Sequence, residues 1–424
     1  MRYQARVLDQ VLAEALTALP ALALDGAKGV GKTATAVRLA QAVVELDSEG
    51  ERQALGEDAT RIERLARPLL IDEWQLYPAV WDQVRRAVDR DPSPGRFILT
   101  GSATPLRSPK HSGAGRIVHL RMRPFSLAER LGTGRVSLKE LLGGARPNLR
   151  EDSDLAVADY AEEIVRGGFP ALRSVPTKFR GLAWSGYLDE ALNRELPELG
   201  RPVRRRGTMR AWLRSYAQAT STTASYTDIL DNAMPADTDK PVKATALAWR
   251  EALSDMWLLD PLPPWDDPLH RLSRLTQGPK HHLADPALAA HLLGVDAATL
   301  LSGPQPDRSS LPRPGTLFGA LFESLVTLSV RVYAEPAGTR VSHLRTKNGE
   351  HEVDLMITTD DGKVLAIEVK SAPTVSPADV KHLRWLQDRL GADLVDAIIV
   401  NTGPAAYRRS VDSIAVVPAA LLGP

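Results

Sequence analysis

Short apolar runs alternate with amphipathic stretches along the first third of the chain. ALALD (21 to 25), VVELD (43 to 47), PLLI (68 to 71), RFILTG (96 to 101) and RIVHLRM (116 to 122) have the length and unbroken apolar character of strands buried on both faces. Between them TATAVRLAQ (33 to 41) and WDQVRRAVDR (81 to 90) read as helices. This βα alternation predicts an α/β unit: a parallel sheet covered by helices on both faces, with any ligand at the carboxyl ends of the strands.

The pattern changes after Arg123. RPFSLAER (123 to 130) leaves the sheet, and the Gly-, Arg- and Pro-rich stretch 132 to 150 reads as a connecting loop. From Glu151 to Pro304 the signals are helical, with Trp184, Trp212, Trp249 and Trp257 as core bulk. Helices at 208 to 220, 227 to 233 and 242 to 259 have the lengths and short links of a helix-turn-helix or winged-helix module. Glu251 and Asp255 on the third would oppose phosphate, which favours a module that packs against the first unit. LSGPQPDRSSLPRPG (301 to 315) reads as a linker. A helix at 316 to 334 then precedes strands at 341 to 346, 351 to 358 and 363 to 370, with Asn348-Gly349 and Asp361-Gly362 as hairpin turns. Three units follow: 1–131, 151–304 and 315–424.

GAKGVGKT, between the first strand and the first helix, gives the first unit a ligand. It fits G-x-x-x-x-G-K-[ST]: Gly26, Ala27, Lys28, Gly29, Val30 and Gly31 wrap phosphates with backbone N–H groups, Lys32 reaches the outer phosphates and Thr33 ligates magnesium. The third strand ends in Asp72 and Glu73, placed as magnesium partner and as polariser of the attacking water of an ATPase. Ser102, after the fourth strand, reads equally as a γ-phosphate sensor or a turn serine. Arg116 is a candidate arginine finger, in competition with Arg107, Lys110 and Arg123.

Composition narrows the classes. A net charge of +1 gives no global attraction for nucleic acid, so DNA binding would need a local patch. The run Arg201, Arg204, Arg205, Arg206, Arg210 and Arg214 is such a patch or a solvated face. The absence of cysteine excludes disulfides and thiolate zinc sites. His270, His281, His282 and His291 lack carboxylates at ligand spacing and read as surface or core. No secretory signal and no uncharged apolar span of about 18 residues is read in the sequence, so the expectation is a cytoplasmic protein without membrane contact.

Register adds a second candidate centre. With a three-residue loop at Asp360-Asp361-Gly362, Thr359 pairs with Lys363 and Asp354 falls opposite Glu368. Glu368 and Lys370 then share a face, with Lys370 across from Glu352. Carboxylates that hold metal and a lysine that orients water are what magnesium- or manganese-dependent phosphodiester cleavage needs; a salt-bridged sheet face is the other reading. The D-x13-E-V-K pattern, with Glu323 on the preceding helix, resembles the PD-(D/E)XK nuclease superfamily. That resemblance implies Glu323, Asp354 and Glu368 as metal acids and Lys370 as the catalytic lysine.

The order GAKGVGKT, LLIDEW, TGSATP, RPFSLAER, GGFP (167 to 170), HHLADPALAAHLLG (281 to 294), EVDLMI and VLAIEVK also resembles a large prokaryotic family of AAA-type ATPases with a C-terminal domain of unknown function. HHLADP departs from the lysine-aromatic pattern usual there. The resemblance implies an ATPase core, a helical middle and a nuclease-like end. The expected function is ATP hydrolysis coupled to a metal-dependent nuclease-like domain acting on DNA. The alternatives are an ATP-driven switch whose nuclease-like domain only docks a partner or DNA, and a structural partner-binding ATPase. AAA-type cores often assemble as rings, and the sequence leaves subunit number open.

Overall fold

The computed structural model describes residues 3–103, 113–147, 149–198, 206–234, 241–266, 272, 278–302, 315–347 and 349–424. Arg107, Lys110, Arg201, Arg204, Arg205, His270, Asn348 and most of the 301 to 315 linker lie outside the described residues.

In the first unit β1 (Ala21–Asp25), β2 (Ala42–Glu45), β3 (Leu69–Asp72), β4 (Phe97–Gly101) and β5 (Ile117–Arg121) pair in parallel in the order β2-β3-β4-β1-β5. Leu22, Ala23, Leu24, Leu70, Ile71, Ile98 and Leu99 are fully buried, as strands covered on both faces require. Because β4 lies between β1 and β3, the residues after it stand between the phosphate loop and the acids of β3. The helix after that loop runs only over Lys32–Ala36, short of the expected Gln41. The Gln41 N–H donates to the Pro68 carbonyl, which draws the chain into β2 at Ala42.

The stretch 132 to 150, expected as a loop, contains β6 (Val136–Ser137) and a helix over Leu138–Leu142 capped by the Ser137 hydroxyl. β6 needs a distant partner: it pairs in parallel with β13 (Leu422–Gly423), which local sequence does not announce.

The middle unit is built on helices Val157–Arg166, Thr177–Glu190, Arg206–Gln218, Tyr226–Ala233, Lys243–Asp255 and Pro286–Leu293. A π-helical turn, Ala191–Glu195, extends the second. After the Lys243–Asp255 helix, Leu259 bridges Leu283 and Leu262 bridges Lys280, both antiparallel. These bridges form a hairpin that follows three of the helices. The hairpin faces protein: the Trp265 N–H donates to the His343 carbonyl and the His343 N–H to Pro263, so the middle unit covers the edge of the C-terminal sheet.

That sheet contains β7 (Arg340–Arg345), β8 (Glu352–Thr358), β9 (Val364–Lys370), β10 (Leu394–Asn401), β11 (Tyr407–Arg408) and β12 (Ala415–Pro418), in the order β11-β12-β10-β9-β8-β7. The Thr359 N–H donates to the Lys363 carbonyl and Leu355 pairs with Ile367, which is the register of a three-residue loop. Between β7 and β8 one residue, His343, opposes two, Asp354 and Leu355. This bulge re-aims Asp354.

The helix Leu317–Ala334 joins the units. Its Phe318, Leu321, Phe322, Leu325 and Val326 share one continuous apolar core with Val30 and Leu24 of the first unit, Trp184 and Leu288 of the second and Ile367 and Ile398 of the third. Residues 317–337 are long and apolar enough to cross a membrane by length and composition, although Glu323, Arg331 and Glu335 interrupt them, and 78% of their most apolar 18-residue window is buried inside the protein.

Charge also holds the units together. Asp260 of the middle unit lies 3.0 Å from Arg121, 2.9 Å from Arg123 and 3.0 Å from Arg331, and Arg123 reaches Glu335 at 3.1 Å. Burial would raise the Asp260 pKa, but Arg121, Arg123 and Arg331 hold it well below the usual carboxylate range. Burial lowers Arg121 to about 10 and Arg331 to about 9, so all three guanidiniums stay charged at neutral pH. Replacing Asp260 by Ala leaves three buried cations without their common partner and is expected to cost about 3–5 kcal/mol, read as a lower denaturant midpoint for the whole chain.

Candidate functional site

Backbone conformation and close approach explain the glycines of the phosphate loop. A Cβ on Gly26 would lie 2.1 Å from the Met122 carbonyl oxygen, and Gly31 caps the following helix at φ 102°, a left-handed position. The helix N-terminus faces the loop. Lys32 is 5% exposed and donates to the carbonyls of Gly26 at 2.8 Å and Ala27 at 3.0 Å. Burial lowers its pKa to about 8 although Glu73 and Asp72 oppose the shift.

Asp72 and Glu73 at the end of β3 reach this loop across β4. The Thr33 hydroxyl donates to Asp72 at 2.9 and 3.1 Å, and Thr100 of β4 donates to the same carboxylate. Burial raises the Asp72 pKa, with Thr100 and Thr33 acting against it. Thr33 and Asp72 are oxygen donors that fit magnesium and would hold it here. Glu73 adopts φ 53°, a strained backbone for a non-glycine residue, and accepts from Ser102 at 2.9 Å and from Gln75. Ser102 therefore positions the Glu73 carboxylate. A cavity of ≈ 430 Å³ is lined by Lys28, Glu73, Ser102, Arg194 and Glu195 among others.

The middle unit closes over this cavity, which the sequence did not reveal. Glu195, on the π-helical turn, pairs with Lys28 at 3.0 Å, and the Tyr187 hydroxyl donates to the Lys28 carbonyl at 3.1 Å. Burial raises the Glu195 pKa, with Lys28 opposing. From the first unit's other side, buried Arg6 donates to the Val30 carbonyl at 2.8 Å and to the Arg123 carbonyl at 2.7 Å, and pairs with Glu129 at 3.0 Å. Arg6, Tyr187, Arg194 and Glu195 sit in stretches with no motif of their own, so only the fold brings them to the loop.

Arg116 does not reach this chain's own cavity. It precedes β5, at the amino edge of the sheet, whereas the phosphate loop follows the carboxyl end of β1; its guanidinium pairs with Asp89 at 2.9 Å. Arg123, its described competitor, is held by Asp260 and Glu335. Among the described residues, Arg194 is the arginine that lines the cavity. In the basic run, Arg210 pairs with Asp189 at 2.5 Å while Arg206 and Arg214 are exposed. His281 contacts the Ala224 carbonyl at 2.7 Å and His282 the Ser324 hydroxyl at 3.2 Å; both are buried core residues with lowered pKa values.

The C-terminal acids do converge, in a cavity of ≈ 370 Å³ lined by Glu323, Glu352, Asp354, Glu368, Lys370 and His382 among others. Their partners differ from the sequence expectation. Lys370 pairs with Glu368 at 2.8 Å rather than with Glu352. Glu323, Glu352 and Asp354 instead share Lys280, at 2.9, 3.1 and 2.9 Å. The second Asp354 oxygen accepts from the Val369 N–H at 2.9 Å. Burial, with the Asp354 charge beside them, raises Glu323 and Glu368 to about 8. Burial opposes ionisation of Asp354, but Lys280 and the Val369 N–H lower its pKa. Among the described residues no group of three or more acids or histidines is arranged to hold a metal ion. Glu323, Asp354 and Glu368 thus do not form the expected metal seat, because an ammonium stands on two of them. Lys280 lies just before the HHLADP stretch, and nothing in its neighbours marks it.

Residues 19–131 match the AAA domain family. Residues 157–299 and 318–422 match two domains of unknown function, DUF8612 and DUF4143. Uncharacterized proteins of Mycobacterium bovis and Mycobacterium tuberculosis are each 28% identical over 428 residues, covering 96% of this chain and 82% of theirs. Among solved structures, a Walker-type ATPase of Pyrococcus abyssi aligns with a TM-score of 0.40 and 16% identity, over 69% of this chain and 98% of its own. The ORC2 protein of Aeropyrum pernix, in ADPNP–ADP complexes, aligns with a TM-score of 0.27 and 14% identity, over 68% and 89%. The phosphate loop, its paired acids and the matching domain together make the first unit a P-loop ATPase of the AAA type.

Proposed function

We propose that the protein hydrolyses ATP with magnesium and that nucleotide state sets the arrangement of its middle and C-terminal units, as an ATP-driven switch. The observation that carries this reading is the grip of the middle unit on the phosphate loop through Lys28–Glu195 and Tyr187. A polyphosphate entering beside Lys28 competes with the Glu195 carboxylate for that cation and repels it, so binding and movement of the π-helical turn are linked. Thr33 and Asp72 would hold the magnesium, which when bound would screen phosphate charge. Lys32 neutralises the outer phosphates, and Glu73, fixed by Ser102, orients the attacking water.

A second reading is favoured by one observation, the acids and Lys370 gathered in one C-terminal cavity. It makes this unit a magnesium- or manganese-dependent nuclease acting on DNA, with Asp354, Glu368 and Lys370 as its machinery. Incubation of plasmid and of linear single- and double-stranded DNA with either metal, with and without ATP, decides between them. The switch predicts intact DNA and ATP turnover that is lost in Lys32→Ala; cleavage that disappears in Asp354→Ala would establish the nuclease.

Two further outcomes follow from the geometry. Burial holds Lys32 at about 8, and phosphates favour its charged form. Nucleotide affinity is therefore expected to fall as pH rises through about 8, with proton uptake on binding in that range, measurable by calorimetry in buffers of different ionisation enthalpy. Glu195→Gln removes the like charge facing the phosphates and is expected to tighten ATP binding by about tenfold, read in a fluorescent-nucleotide titration.

A further inference from the structure

The three helices ahead of the hairpin leave a cavity of ≈ 270 Å³ between them. Trp212 of the Arg206–Gln218 helix, Tyr226 and Leu230 of the Tyr226–Ala233 helix, and Lys243, Leu247 and Arg250 of the Lys243–Asp255 helix line it, among others. Among the described residues it shares no lining residue with the nucleotide cavity or with the C-terminal cavity. The third helix contributes Ala244 and Ala246 to the wall, and such short side chains leave the space unfilled from that side. Leu247 is 44% exposed, an apolar residue at an open rim.

The polar groups of the cavity are of one kind, donors without acceptors. Among the described residues no acid lines it, and neither Lys243 nor Arg250 has a carboxylate partner. The Arg250 guanidinium is fixed by the ring of Tyr226, 4.4 Å from its centroid, and His281 packs edge-on against the same ring at 4.9 Å. Trp212 is 1% exposed, and its indole N–H is buried with no hydrogen-bond partner. A buried donor left unmet costs free energy that an acceptor on a ligand would recover.

These features select a ligand with two unlike ends. An inorganic anion would meet the cations and leave the aromatic walls bare. A neutral hydrocarbon would cover the walls and leave two cations and the indole N–H unanswered. The volume suits one small ring system with a short side chain. We propose that this cavity binds a small aromatic carboxylic acid, with its ring among Trp212, Tyr226 and Leu230 and its carboxylate on Arg250 and Lys243. The guanidinium offers the carboxylate charge-assisted hydrogen bonds, and the ring gains the contact area that aromatic walls provide. The site is separate from the nucleotide cavity, so the proposal stands whether or not the ATP-driven switch does.

The test is a fluorine NMR titration of the full-length protein with para-fluorophenylacetate and with fluoroindole acetate, each compared with its neutral primary amide. Saturable binding of at least one acid is expected, with its amide about tenfold weaker. Arg250→Gln is expected to weaken the acid about tenfold and to leave the amide unchanged. Ala246→Leu, which fills the space, is expected to abolish binding of both. Lys243 is exposed, so Lys243→Gln serves as the charge test should Arg250→Gln fail to fold. No saturable binding of either acid at millimolar concentration, or equal affinity for acid and amide, overturns the proposal. So does acid binding that survives Ala246→Leu, or that neither charge variant weakens. Excess ATP must leave the bound acid in place, since displacement would put the probe in the nucleotide cavity and overturn the assignment.

Discussion

Everything in this molecule is referred to one buried carboxylate. Asp260 takes a guanidinium from the end of the nucleotide sheet, a second from two residues beyond it and a third from the helix that fills the shared core. Apolar packing is tolerant of small slips because any well-filled arrangement is favourable. Buried ions are not tolerant, since each charge taken out of water must meet its partner at hydrogen-bonding distance or be left uncompensated. The shared core provides the bulk of the cohesion, and Asp260 provides the alignment. Arg130 repeats the device nearby, fully buried between Asp285 and Glu163 and donating to the Phe125 carbonyl.

That alignment makes the helical middle an intermediary. On one side its π-helical turn grips the phosphate loop through Glu195; on the other its hairpin inserts Lys280 among acids contributed by the core helix and by β8. Both contacts put a middle-unit side chain of definite charge against an opposite charge in a neighbouring unit. At both, the middle unit already supplies the counter-charge. π-helical turns and sheet bulges such as the one at Asp354 recur beside functional sites because each displaces a side chain from the regular lattice.

Much of this was legible along the chain where the signal is local. The apolar runs announced β1 to β5, GAKGVGKT announced the loop, and Asp361-Gly362 set the β8–β9 register. What stayed hidden depends on contacts distant in sequence. β6 is two residues long and exists through its pairing with Leu422 and Gly423. Arg116 had the right residue type beside the right strand, yet strand direction puts it at the wrong edge. Lys280 and Glu195 are single charged residues in helical or turn context, and only tertiary placement gives them partners. The acids of the third unit do line one cavity. Their counter-ions stayed hidden, because local register cannot foresee a side chain delivered by another unit.

The shared core helix has a consequence in time. Residues 317–334 follow β5 by almost two hundred positions, yet they cover apolar surface on both preceding units, from Leu127 and Leu138 to Tyr160 and Leu288. Contacts of such separation form late and slowly. During synthesis the nucleotide and middle units therefore emerge with a hydrophobic groove uncovered, and this groove must be kept from other chains until the helix is made. The finished surface hides a stage of assembly in which that groove is open, and closing it falls to this one helix.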